Sequence, residues 1–132
     1  MSDQLIRDDC MYTRDHVWVR KTDNANRYVV GLTPVAATAL GEIVFVKTPE
    51  TGLQVVADES VCEVEAAKAM SDVYAPISGE IVDVNADLRS DPGLLNRDSF
   101  DDGWIFEIES DGGFDGSDLL DSGRYRKLVE GD

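Results

Sequence analysis

The sequence predicts a mainly β fold, a sandwich or flattened barrel with a short helix after the second strand and a second helix at the C-terminus. Two observations carry this. Short β-rich runs recur at close spacing, each bounded by turn residues. Two segments carry helix signals instead: Thr33 to Gly41, with start and stop chemistry, and Ser122 to Val129, with a basic end.

Taken in order, His16–Arg20 (His-Val-Trp-Val-Arg) is the first β-rich run and Tyr28–Leu32 the second. Thr33 then suits an N-cap. Pro34 suits the first helical position, because its missing N–H would be unpaired there anyway. Val35–Leu40 is apolar and alanine-rich, and Gly41 stops the helix. So apolar a helix is expected to lie buried against the sheet rather than fully solvated. Ile43–Lys47 is the third strand and Glu50-Thr51-Gly52 a turn. Val61–Glu65 alternates apolar and polar, so one face is expected to be buried. Small residues interrupt it over Ala66–Ser71, and extended structure resumes over Asp72–Ala75. Pro76-Ile77-Ser78-Gly79 is a turn, Glu80–Val84 a strand, and Pro92-Gly93 marks a loop. Trp104–Ile108 is a strand and Asp111–Gly116 a loop. Ser122–Val129 is the terminal helix, with Arg124, Arg126 and Lys127 near its end. Leu53–Val56 and Glu80–Asp83 are loosely alike, a hint of two similar sheet halves.

Length and composition bound the function. The 132 residues fit one domain, with a core over about 12–110 and a helical segment over about 117–130. At 42% hydrophobic and 30% charged, the chain has a globular balance rather than a disordered one. No apolar run reaches membrane-span length, and Met1–Asp9 lacks the apolar stretch of a secretory signal, so a cytoplasmic location is expected. The net charge of −15 makes nucleic acid an unsuitable partner, since binding would bring like charges together. The same charge suits a solvated surface, docking onto basic partners, or a salty habitat. Cys10 and Cys62 form no metal or redox motif and are expected as free thiols. His16 is the single histidine, which leaves little for a zinc site or a catalytic triad.

The chemistry concentrates in Val64–Asn85 (VEAAKAMSDVYAPISGEIVDVN). Lys68 sits among small residues between two extended segments, which places it at a hairpin tip with its amine in water. Ala67 and Ala69 leave it sterically open to a modifying enzyme. Acylation would remove its charge and lengthen it into a flexible arm.

This stretch resembles the lipoyl-attachment hairpin of the glycine cleavage system H protein family. Glu65 stands three residues before Lys68. Ser71-Asp72 follows, then Ala75-Pro76-Ile77-Ser78-Gly79-Glu80, with Gly79 eleven residues beyond the lysine. The resemblance extends to Tyr12–Arg20, Leu40–Val46, Asp102–Ile105 and Leu119–Tyr125. It implies a lipoyl/biotinyl-type flattened β-barrel, a hybrid-motif sandwich, and a non-catalytic carrier bearing lipoic acid on Lys68. Glu65, Asp72 and Gly79 would support and identify the hairpin, and Gly79 is expected where a turn backbone approaches it closely. A lipoate ligase or lipoate-transferring enzyme is the implied modifier, and a monomer the expected state. Biotin is a lesser fit, because the residues flanking Lys68 are alanines while Met70 lies one further on. An interaction module that has lost modification is a reading from another class.

Two departures bear on cargo. The family opens with His-Glu-Trp, whose Glu helps hold the amine-bearing arm; here it reads His16-Val17-Trp18. Val17 cannot pair with an ammonium, which forfeits a contact worth roughly 1.5–3 kcal/mol. The helix reads Pro34-Val35-Ala36-Ala37-Thr38-Ala39, where the family is more polar. These changes favour a related role, the lipoate-binding protein of bacterial sulfur oxidation, with a heterodisulfide-reductase-like complex as partner. The alternative is a glycine cleavage H protein. That protein carries the aminomethyl group from glycine decarboxylase to aminomethyltransferase, with dihydrolipoamide dehydrogenase as third partner. A relay of lipoate to other proteins is a third reading. In a sulfur carrier, Cys10 or Cys62 would be candidates for exchange with the lipoyl dithiol.

Overall fold

A computed structural model describes residues 6–24, 26–110, 116 and 118–130. Two antiparallel sheets face each other. The larger runs β1–β2–β3–β9–β8–β5: β1 is Met11–Tyr12, β2 Val17–Lys21, β3 Arg27–Leu32, β5 Gln54–Val55, β8 Gly79–Val84 and β9 Phe106–Ser110. The smaller runs β4–β6–β7: Ile43–Lys47, Ser60–Ala66 and Met70–Tyr74. The mainly β sandwich expected from the sequence is the fold observed.

The main core lies between the sheets. Val19, Val30, Ile81 and Ile108 come from the larger sheet, and Val46, Cys62, Val64 and Val73 from the smaller. A second cluster packs Cys10, Tyr12, Trp18, Phe100, Leu120 and Tyr125. β2 therefore runs between two apolar groups, and Val17, Trp18 and Val19 are all buried.

The helices follow local rules. In α1 (Pro34–Leu40) the Thr33 side chain accepts from the Ala36 N–H, and Gly41, at φ 88°, caps the other end. As expected, α1 is not fully solvated, but only one side of it is covered. Ala37 is buried, and Ala36 and Leu40 pack against the core, but Thr38 and Ala39 face solvent. Alanine exposes little apolar surface, so an alanine-rich helix can lie half in water at small cost. In α3 (Ser122–Val129) Asp121 caps the start by accepting from the Arg124 N–H. Tyr125 anchors it, stacked on Tyr12 at 4.4 Å, with its hydroxyl hydrogen-bonded to Thr33 Oγ1 at 2.8 Å and His16 Nδ1 at 2.7 Å.

Several expectations shift. His16 is not a strand residue: it sits at φ 67°, in a turn that separates β1 from β2. Leu53–Val56 and Glu80–Asp83 are less two sheet halves than partners, because β5 pairs with β8 through Gln54↔Glu80 and Val55↔Gly79. A 3₁₀ turn (Ala86–Leu88) and α2 (Leu94–Arg97) were not expected from the sequence. The loop expected over Asp111–Gly116 lies outside the described residues except at Gly116.

Candidate functional site: the hairpin tip at Lys68

The β6–β7 hairpin closes through three residues, Ala67, Lys68 and Ala69. The Ala66 N–H donates to the Ala69 carbonyl at 2.8 Å and fixes the turn. The Ala67 N–H donates to the Glu42 carbonyl at 3.1 Å, which ties the tip to the start of β4. That neighbour is held in turn by α2. Asn96 Oδ1 accepts from the Ile43 N–H at 2.9 Å, and Asn96 Nδ2 donates to the Gly41 carbonyl at 2.9 Å. Asn96 is thus a positioning residue that sequence reasoning missed. Pro92-Gly93 signalled only a loop, and no local pattern marks an amide that reaches back more than fifty residues.

Lys68 and both flanking alanines are exposed. Among the described residues, no hydrogen bond or ion pair engages the Lys68 ammonium. Glu65 lies across from Met70 on β7, and Asp72 across from Glu63 on β6. Paired residues of an antiparallel ladder share a face, so Glu65 and Asp72 both point outward from the smaller sheet. Asp72 accepts from Ser60 Oγ at 3.1 Å. Glu65 and Asp72 therefore share the outer face of the hairpin; Glu65 stands in the last pair before the Lys68 turn, while Asp72 lies further down and reaches towards Ser60.

Gly79 is not part of this group. It begins β8 in the other sheet, paired with Val55 and Ser110. A Cβ there would run into the Glu109 carbonyl of β9. The close approach expected of this glycine is real, but the neighbour is β9 rather than the lysine hairpin.

The two thiols stand apart from the tip. Cys62 is buried in the inner row of β6 and Cys10 in the second cluster. Burial, reinforced for Cys62 by Glu63 and Asp72 and for Cys10 by Asp9, pushes each thiol up to about 12. Thiolate is the reactive form, so both are expected to resist iodoacetamide at pH 8 in the folded protein and to react once denaturant is added. Labelling of the native thiols at least about a hundredfold slower than in the unfolded chain is the outcome to check by mass spectrometry. The sign for stability follows. The folded protein keeps protons that the unfolded chain loses, so this contribution is full below about 9 and lost as pH rises towards 12.

A lipoyl group needs an amine that an acyl-transferring enzyme can reach, free of an ion pair and flanked by small side chains. Among the described residues, Lys68 meets each requirement.

The two departures behind the sulfur-oxidation reading look different in three dimensions. Val17 is 1% exposed and belongs to the main core, so its identity reports on packing between the sheets. The apolar character of α1 is mostly alanine, partly in water.

Comparison with known proteins bears on the same point. The family model described as "Glycine cleavage H-protein" matches residues 10–132. The glycine cleavage system H protein of Halorhodospira halophila is 44% identical over 124 residues, covering 94% of this chain and 95% of the relative. That of Coxiella burnetii (strain RSA 331 / Henzerling II) is 40% identical over 119 residues, covering 90% and 91%. A probable glycine cleavage system H protein of Haloarcula marismortui is 42% identical over 125 residues, covering 95% and 97%. Among solved structures, a glycine cleavage system H protein from Mycobacterium marinum superimposes with a TM-score of 0.85 at 37% identity, covering 95% of this chain and 99% of that one. These matches give the sulfur-oxidation reading and its heterodisulfide-reductase-like partner no support, and the glycine cleavage alternative fits them better. With its sandwich, its exposed hairpin lysine and these relatives at 40% identity or more, the chain belongs to the glycine cleavage H-protein family.

Proposed function

We infer that this protein is a lipoyl carrier of a glycine cleavage system, modified on Lys68, that moves an aminomethyl group from glycine decarboxylase to aminomethyltransferase. Dihydrolipoamide dehydrogenase is the third partner, and a lipoate ligase or lipoate-transferring enzyme installs the group. The single observation that carries this is the Lys68 amine, exposed and, among the described residues, unengaged on a hydrogen-bonded three-residue turn.

When bound, the lipoyl dithiolane supplies a disulfide that can be reduced, reoxidised or made to hold a thiol-bound group. The chain's own residues do the rest. The hairpin holds the Lys68 backbone at a fixed place, with the turn closed by Ala66 and Ala69 and braced by Glu42, and leaves its side chain free to reach out. Ala67 and Ala69 keep the approach open. Glu65 and Asp72 present carboxylates on the outer face of the hairpin that carries the lysine, where a modifying enzyme can read them. Cys10 and Cys62, buried and protonated, stay out of dithiol exchange. No imidazole stands at the tip: His16 is engaged with Tyr125 at the other sheet. In this reading catalysis belongs to the partner enzymes, and tethering raises the arm's concentration at each docked active site. Among the described residues no helix is long and apolar enough to cross a membrane.

The test is to offer the lipoylated protein to glycine decarboxylase with glycine and follow loading by intact mass. Loading that requires both glycine and the lipoyl group is expected. A fully lipoylated protein that the enzyme leaves unloaded would overturn the glycine cleavage assignment.

A further inference from the structure

The outer face of the smaller sheet carries an apolar patch that the fold does not use. Phe45, Glu65 and Met70 form one row across β4, β6 and β7, and Lys47, Glu63 and Asp72 form the next. The row between them, Val46, Val64 and Ser71, turns inward, and Val46 and Val64 are buried. The ladder therefore forces Phe45 and Met70 outward. A bulge between Ile43 and Phe45 adds Val44 to the exposed residues. Exposure is 50% for Val44, 48% for Phe45 and 63% for Met70, so three of the five large apolar side chains that the described residues expose lie on the strands that lead to the tip.

The patch has an acidic rim. Glu63, Glu65 and Asp72 share its face, Glu42 borders the tip, and Lys47 is the one base in the two outward rows. Among the described residues no lysine or arginine pairs with any of these carboxylates. The wider charge distribution points the same way. Residues 28–121 hold 20 of the 27 acids but only 4 of the 12 bases, while the remaining termini hold 7 acids and 8 bases. The hairpin therefore belongs to the strongly acidic part of the chain.

We propose that this face is a docking surface for an enzyme partner whose own contact patch is apolar at its centre and ringed by lysine and arginine. It rests on the carrier reading and adds to it the surface by which the arm is presented. Phe45 and Met70 supply the buried anchors, and the unpaired carboxylates supply steering and register. Charge excludes the other occupants. A second copy would set acid against acid, and an anionic membrane or a nucleic acid would be repelled in the same way. Because Met70 is two residues from Lys68, docking here sets the arm at the rim of the contact.

The experiment uses full-length protein purified in the lipoylated form, with modification verified by mass, and glycine decarboxylase as the probe. KM for the carrier is measured with F45S/M70S, with Glu63→Lys, and with Val56→Ser as a control. Val56 is 64% exposed near the far end of the hairpin, where Asp58 and Glu59 bond to Ala75. F45S/M70S is expected to raise KM about tenfold or more with kcat little changed. Glu63→Lys is expected to raise KM at low salt and to weaken its dependence on salt. Should the double variant fold poorly, the charge reversal carries the test alone. An unchanged KM in both variants overturns the docking surface, as does an equal rise in Val56→Ser. A wild-type dimer on sedimentation that F45S/M70S dissociates would assign the face to a second copy and also overturn it. Wild-type protein that is lipoylated yet never loaded instead overturns the underlying carrier reading, so the two failures are distinguishable.

Discussion

Lys68→Arg is expected to leave the fold intact and abolish carrier activity. The side chain is exposed and engages no described partner, so nothing in the sandwich depends on it. Stability should change by no more than about 0.5 kcal/mol, as for surface substitutions generally. The guanidinium keeps the positive charge but is never deprotonated in proteins, so it offers no amine nucleophile for acyl transfer. Urea unfolding should superimpose on wild type while lipoylation and loading both vanish. If the variant were still lipoylated and loaded, attachment would lie on one of the other lysines, Lys21, Lys47 or Lys127.

Gly79→Ala is expected to do the reverse, damaging the fold and sparing the site. A Cβ at this position has no room, because the Glu109 carbonyl and the Ser110 Cα occupy the space. Both neighbours are backbone of β9, which is itself held between β3 and β8 and cannot swing aside like a side chain. The strands must shift, at a cost of about 2–4 kcal/mol. The fraction that remains folded should be lipoylated at the normal rate, since Gly79 lies in the sheet opposite the hairpin. Denaturant midpoints read the first effect and mass spectra the second. Unchanged stability with lost lipoylation would instead make Gly79 a recognition residue.

What the sequence disclosed depended on how local the signal was. Thr33-Pro34 and Gly41 delimit α1 by their own chemistry, and the alternation in Val61–Glu65 fixes which face of β6 is buried. The tip was legible because Lys68 stands among alanines between two extended runs. Long-range pairings were hidden. Gly79 could be recognised as a constrained position, but nothing near it names Glu109, thirty residues on, as the constraint. Val17 was read as a missing arm contact because sequence alone does not show that β2 is enclosed on both faces. α2 spans four residues, too few to display a helical period, so the brace that Asn96 provides left no trace. The left-handed turn at His16 was equally silent, since it is a non-glycine residue that adopts it.

The most direct measurement is peptide mapping by mass spectrometry after co-expression with a lipoate ligase. One lipoyl group, in amide linkage on Lys68 and on no other lysine, is the result expected of an amine held in solvent at the end of a hairpin. An unmodified Lys68 in a protein shown to be folded, with active ligase present, would contradict it.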